Sequence, residues 1–302
     1  MPDQRRGVLL GVAAYLLWGA FPLYWPLLEP AGAFEILGHR MIWSLVVMAV
    51  VVVALRRVPH LLALLGSPRT LGILAIAGVT ITVNWGTYIW AVNHGKVVET
   101  SLGYFINPLV TMLMGVLILR ERMRSRQWAA VGIAAAAVIV LTLDYGRVPW
   151  VALILACSFG TYGLAKKQAG AGAFESIALE TSVVAPFALA YVVALGATGH
   201  GHFTTDGVGH ALLFVSSGVV TAIPLICFGA AAVRVPMVTL GLLQYLAPIG
   251  QFALGVFYRH EQMSAGRWVG FGIVWIALAI FSYDMLAQRR TRGRDVVEAS
   301  AI

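Results

Sequence analysis

The chain has 302 residues, 60% of them apolar and only 11% charged, with 21 Lys and Arg against 13 Asp and Glu for a net charge of +8. A globular protein in water needs more charge to cover its outside, so composition excludes a soluble fold and makes the bilayer the expected solvent. In a soluble protein the positive excess would suggest nucleic acid; here the basic residues sit in short segments between apolar runs, and no nucleic-acid partner or cofactor is expected.

A hydrocarbon core of roughly 30 Å takes about 20 residues of apolar helix. In chain order, spans are predicted near 7–28, 36–55, 71–93, 99–119, 128–144, 148–166, 175–196, 210–230, 236–258 and 267–286. The first follows Arg5 and Arg6, as a secretion signal would, yet its length, Pro22 and Pro26, and the missing small-residue cleavage site read as a retained helix. Only 120–127 and 144–149 separate the fourth, fifth and sixth spans, which predicts antiparallel neighbours. Cys157 and Cys227 fall inside apolar runs and read as small hydrophobes.

Lysine and arginine are retained on the cytoplasmic side of membrane proteins. With the N-terminus inside, the inner set is Arg5, Arg6, Arg56, Arg57, Arg69, Arg120, Arg122, Arg124, Arg126, Lys166, Lys167, Arg234, Arg289, Arg290, Arg292 and Arg294, against Lys96, Arg147, Arg259 and Arg267 outside. This imbalance predicts both termini in the cytoplasm and an even number of spans in the plasma membrane.

Sliding the chain against itself, without a gap, until Ala31 falls on Ala171 exposes an internal repeat. Ala31-Gly32-Ala33-Phe34-Glu35 recurs as Ala171-Gly172-Ala173-Phe174-Glu175, and Gly78-Val79 meets Gly218-Val219. Leu102, Pro108, Gly115, Glu121, Trp128 and Gly132 meet Leu242, Pro248, Gly255, Glu261, Trp268 and Gly272. Five spans per copy is an odd number, so the second copy must enter the membrane from the other side. The expected fold is therefore all-α and polytopic, ten transmembrane helices as two inverted five-helix repeats over 7–145 and 147–286, with a cytoplasmic tail at 287–302. Inverted repeats are common in secondary transporters, because near-equivalent halves can expose a central site to each side in turn.

Asn84-Trp85, Trp90-Ala91-Val92-Asn93, the block Ser101 to Leu109, Glu121-Arg122, Tyr162-Gly163-Leu164, Glu180-Thr181 and Thr239-Leu240-Gly241 with Gln244-Tyr245 and Pro248 resemble RarD-type members of the EamA family, in the drug/metabolite transporter superfamily. The likeness runs from about residue 5 to residue 290. It implies ten helices, a cytoplasmic-membrane location and a permease role often labelled as chloramphenicol sensitivity, a phenotype that leaves the solute open. The chain after Arg292 falls outside the likeness and reads as a disordered cytoplasmic end.

A charge at mid-membrane costs about 2.5 to 3.5 kcal/mol, so ionisable groups inside spans should face the bundle interior or a wet cavity. Arg40, with His39 beside it, and its repeat mate Glu180 are such groups, expected to line opposite ends of one pathway; structural pairing with a neighbour is the alternative. Asn84, Trp85, Asn93, Glu99, Tyr104 and Asn107 form a second set on the third and fourth spans, where amides, phenols and flat rings suit a polar solute. Trp90 reads instead as an interface anchor. Asn107 precedes Pro108, and Gln244 and Tyr245 precede its mate Pro248, where a broken helix could border a binding site or merely kink. His200, His202 and His210 could be read as a metal cluster, but a solvated loop is the better reading. Glu121 among arginines is expected in an ion-pair cluster, and Gly266 with Gly270 permits close helix approach.

No phosphate-binding G-x-x-x-x-G-K-[ST] loop is present, so this chain is not expected to hydrolyse nucleotide, and it shows no enzyme motif. The expected function is a permease for a small polar or amphipathic solute, proton-coupled through Glu180, Glu99 or His39 or working as an uncoupled exchanger. A small-solute channel is the alternative.

Overall fold

In lipid a backbone amide finds no water, so a chain this apolar must satisfy its hydrogen bonds within helices. The computed structural model describes the backbone of residues 2–120, 123–232, 234–235 and 237–299. Glu121 and Arg122, on which the expected ion-pair cluster falls, and Pro236, at the start of the predicted ninth span, lie outside the described residues.

The elements are α1 (Pro2–Gly19), α2 (Phe21–Tyr24), a 3-10 turn (Trp25–Leu28), α3 (Ala33–Ala54), α4 (Val58–Leu65), α5 (Pro68–Asn93), α6 (Val97–Leu119), α7 (Ser125–Tyr145), α8 (Trp150–Ala169), α9 (Ala173–Ala197), α10 (Gly207–Ala232), α11 (Met237–Leu243), α12 (Leu246–Ala253), a π turn (Leu254–Tyr258) and α13 (Ala265–Ala299). The repeated Ala-Gly-Ala-Phe-Glu stretches open α3 and α9: Gly32 and Gly172 stand at the N-caps in extended backbone, with Glu35 and Glu175 in the first turns, where a carboxylate suits the helix dipole. Arg120, at the end of α6, and its offset mate His260, beyond the π turn, both take left-handed backbone, with φ of 55° and 53°.

Seven of the described helices are long and apolar enough to cross a membrane, or eight if Asp3–Gly19 and Phe21–Leu28, bent by 41°, form one span; Trp150–Lys166 and Leu246–Tyr258 are apolar but shorter. The predicted first span is thus broken after Gly19, and Pro22 and Pro26 occupy the first turns of α2 and the 3-10 turn, where a missing N–H costs nothing. The predicted ninth span is interrupted at Gln244 and Tyr245, whereas α6 passes through Pro108 unbroken. Helix α4 is an addition to the predicted elements, and α13 continues to Ala299 through the stretch expected to be disordered.

Packing departs from chain order. The main partner of α7 is α13, while α8 packs on α6 and α5, so the antiparallel α7–α8 neighbours expected from a short linker are not a principal contact. The other large contacts join α3 to α9 and α10, α1 to α10 and α12, α5 to α9, and α6 to α12. Two glycines a repeat apart permit the closest of these. A Cβ at Gly78 would stand 2.7 Å from the Glu180 carbonyl oxygen, and one at Gly218 would stand 2.5 Å from that of Trp43. One apolar cluster centres on Leu102, Phe105, Leu141, Phe252 and Phe271, and a second on Trp25, Leu28, Ile36, Met41, Ile89 and Phe214.

Candidate functional site

Arg40 lies in the second turn of α3 and is 2% exposed. Its Nε donates to Thr221 Oγ1 on α10 at 3.0 Å. Its guanidinium carbon stands 3.8 Å from the ring centre of Trp85, 4.7 Å from Trp25 and 5.6 Å from Phe21, a cation–π cage. The break after Gly19 turns the chain so that Phe21 and Trp25 reach this position. Among the described residues Arg40 has no carboxylate partner, and its Nη1 is buried without an acceptor.

Glu180, in the second turn of α9, is 3% exposed but is well provided with partners. It accepts hydrogen bonds from Ser176 Oγ at 2.5 Å, Lys166 Nζ at 2.9 Å and the Tyr162 hydroxyl at 3.1 Å. Lys166 also donates to Ser176 Oγ at 2.6 Å. The spacings explain the assembly: Tyr162 and Lys166 are four residues apart on α8, and Ser176 and Glu180 four apart on α9, so each pair shares a helix face. A cavity of about 20 Å³, room for about one water, is lined by Met41, Trp85, Tyr162, Glu180 and Thr181 among others. Arg40 and Glu180 therefore do not pair; the ring that carries Arg40 and the Glu180 cluster line one cavity.

Asn84 is completely buried and its hydrogen-bonding groups are engaged. Its Nδ2 donates to the Leu155 carbonyl at 2.9 Å and Ser158 Oγ at 3.0 Å, and its Oδ1 accepts from the Tyr104 hydroxyl at 3.1 Å, tying α5 to α8 and α6. His39 stacks on Phe203 at 4.6 Å and lies 4.5 Å from Phe214. Asn107 accepts from Thr111, and Tyr245 packs beside the Phe105 and Phe252 cluster, away from the cage. Gln244 sits at the break between α11 and α12, and Asn93 ends α5 with its Oδ1 buried.

Glu99 belongs to one end of the bundle. It receives Arg147 Nη2 at 2.6 Å and Nη1 at 3.3 Å, together with the Val151 amide at 3.2 Å in the first turn of α8. Nearby, Glu261 accepts the amides of Val97 and Val98 at 2.5 and 2.9 Å, covering the N-terminus of α6. Burial pushes the Glu261 carboxyl above the ordinary carboxylate range, against the opposing pull of the two amides, Arg259 and Arg267. With Lys96, Tyr145 and Arg267 these groups line a cavity of about 270 Å³. The mates Glu35 and Glu175 each hold a distant loop: Glu35 accepts from the His202 amide at 2.6 Å and pairs with its Nδ1 at 2.9 Å, and Glu175 pairs with Arg57 at 3.2 Å. The histidine-bearing loop is thus anchored, with His210 Nε2 3.1 Å from the Leu28 carbonyl oxygen.

Trp25, Thr221, Tyr162 and Ser176 complete the two buried clusters beyond the residues the sequence singles out. Tyr162 carries a signal in the sequence, one turn before Lys166 in the Tyr162-Gly163-Leu164 motif; Trp25 and Thr221 carry none, because single aromatics and hydroxyls are ordinary in membrane helices.

The EamA-like transporter family matches residues 5–143 of this chain. Protein RarD of Streptomyces exfoliatus is 56% identical over 300 residues, covering 99% of this chain and 95% of its own. The transporter YojE of Bacillus subtilis is 42% identical over 294 residues, covering 95% and 97%, and protein RarD of Escherichia coli is 41% identical over 290 residues, covering 96% and 98%. A solved crystal structure covering 94% of this chain and 98% of its own superposes with a TM-score of 0.60 at 19% identity, a likeness of fold alone.

Proposed function

We propose that this chain, a multi-pass membrane protein that belongs to the EamA-like transporter family beside the RarD proteins, is a secondary transporter moving a small polar or amphipathic solute between Arg40 and Glu180. The observation that carries this reading is the shared cavity. A buried cation and a buried carboxylate, at equivalent positions of the two sequence repeats, approach one internal space through Trp85 and the Glu180 side chain. Charges are kept inside a membrane protein at considerable cost, and a solute path is the usual reason.

In this reading α8 and the broken α11–α12 segment also span the bilayer, making ten spans in two inverted repeats, 7–145 and 147–286, with both termini cytoplasmic. The packing supports it. A shift by one repeat length turns the α5–α8 contact into α10–α1, α6–α8 into α12–α1, and α5–α9 into α10–α3, while α3–α9 and α7–α13 map onto themselves. Such self-mapping pairs are what a two-fold axis in the membrane plane requires. Cysteines placed at Arg57 and Lys166 should then react with a membrane-impermeant thiol reagent from the cytoplasmic side, and a cysteine at Arg147 from the other.

Transport is tested with purified protein in liposomes. A carrier shows flux that saturates and is accelerated by solute on the far side; a pore shows neither. Linear flux without counter-transport would replace this reading with a channel.

A further inference from the structure

The surroundings of Arg40 hold more donors than acceptors. Besides its own Nη1, the Trp25 indole Nε1 and the Tyr88 hydroxyl are buried with no acceptor among the described residues. Trp25 and Tyr88 are at most 2% exposed and belong to the same packed cluster, in which Trp85 and Tyr104 also take part. Tyr88 packs edge-on to Tyr104 at 5.7 Å within that cluster. Tyr104 and Asn84, by contrast, satisfy each other.

A buried donor without an acceptor bears the full loss of its hydration, and an unbalanced buried charge loses more. A bridging water would relieve the tryptophan and the tyrosine, but it would leave the charge of Arg40 uncompensated. An anion seated among them would relieve all three. One guanidinium balances a single negative charge, which favours a carboxylate over a phosphate dianion. The flat walls of Trp85, Trp25 and Phe21 favour an apolar or aromatic body behind that carboxylate. Trp85 also lines the water-sized cavity beside Glu180, so the site adjoins that internal space.

We propose that the Arg40 cage binds the carboxylate of a monoanionic organic solute, with Arg40 Nη1, Trp25 Nε1 and the Tyr88 hydroxyl as donors and the aromatic rings around its apolar part. This deepens the transport reading and rests on it only for movement of the solute, since binding is measured separately.

The test uses the full chain purified in detergent and radiolabelled phenylacetate, with acetate, phenylacetamide and inorganic phosphate as competitors at fixed pH and ionic strength. Phenylacetate is expected to bind saturably, with acetate competing and with phenylacetamide and phosphate competing at least about tenfold less well. A charge-assisted hydrogen bond is roughly twice as strong as a neutral one, so Arg40→Gln should weaken binding about 10- to 100-fold, and Arg40→Lys less. Tyr88→Phe guards against variants that merely fail to fold. It removes a donor without altering the ring, and should weaken binding about tenfold while leaving thermal stability equal or higher. Absence of phenylacetate binding, equal binding by Arg40→Gln or Tyr88→Phe, equal competition by the neutral amide, or stronger competition by phosphate would each overturn the assignment. Binding without flux in liposomes would leave the site standing and remove the transport reading; flux of other solutes without anion binding would do the reverse.

Discussion

Lys166 and Glu180 form an ion pair whose two members are unequally buried, and that inequality makes a sharp prediction. The Glu180 side chain is 3% exposed and the Lys166 side chain 24%. Replacing Lys166 with Met leaves the carboxylate buried with two hydroxyl donors and no counter-charge among the described residues, and such stranded charges cost about 3 to 5 kcal/mol. Replacing Glu180 with Gln leaves one oxygen that accepts from Ser176 or Tyr162, an Nε2 that can donate to the other hydroxyl, and a lysine that can turn toward water. The loss there is one charge-assisted contact, about 1.5 kcal/mol after partial resolvation. Lys166→Met should therefore destabilise more than Glu180→Gln by about 2 kcal/mol, roughly 30-fold in the unfolding constant. The double variant should be more stable than Lys166→Met alone, because it removes the stranded charge. Reversible unfolding in mixed micelles with dodecyl sulfate as denaturant reads all three differences. An equal or greater loss for Glu180→Gln would refute the reasoning, because it would mean that the lysine rather than the carboxylate depends on the pair.

Gly218→Ala forces a methyl against the Trp43 backbone and should cost about 1 to 3 kcal/mol, whereas Gly272→Ala, with nothing within 4 Å, should be neutral or better in the same assay. Asn84→Ala should lose about 2 to 3 kcal/mol, since Tyr104 and the Leu155 carbonyl lose a buried partner; unchanged stability would mark Asn84 as a solute contact instead of a clasp. Glu261 binds a proton more readily in the folded protein than in the unfolded chain, so its contribution is fully present below the ordinary value of 4.5 and is lost as pH rises through its raised folded value. Across that window the stability of Glu261→Gln should fall less than that of the unaltered protein, measured by thermal melts at stepped pH.

What could be read in advance follows from what lipid makes costly. A charge in an apolar run stands out on that ground, so Arg40 and Glu180 were visible as candidates before any helix was placed. The repeat was visible through Ala31 to Glu35 and Ala171 to Glu175, which prove to open equivalent helices with a loop-holding glutamate in each. The partners were not visible, because they come from elsewhere in the chain: Arg40 is met by Trp25, Trp85 and Thr221, from three different elements. Pairing of α7 with α13 likewise joins elements far apart in the chain, and a short linker to α8 pointed the wrong way. Breaks in apolar helices leave little trace. Pro108 and Pro248 occupy equivalent places, yet the chain is continuous at one and interrupted just before the other.

That last difference bears on mechanism. If proline alone decided helix shape, the two copies would match; they do not, so the contacts around them decide. The intact α6 has its first amides held by the Glu261 carboxylate, and Glu99 beside them is held by Arg147. These bonds lie at a polar end that opens on a cavity of about 270 Å³, where water can replace them at modest net cost. In the proposed alternation the two copies exchange shapes, and the contacts surrendered at this end must nearly equal those gained at the other. An imbalance of about 1.4 kcal/mol already depletes one state roughly tenfold. Carboxylate-to-amide contacts beside such a cavity suit that requirement because their net strength is small. The dry Arg40 cage does not share this tolerance: a charge held there without a counter-ion is a standing cost, and a solute that neutralises it would alter the balance between the two states far more than any of the contacts at the end.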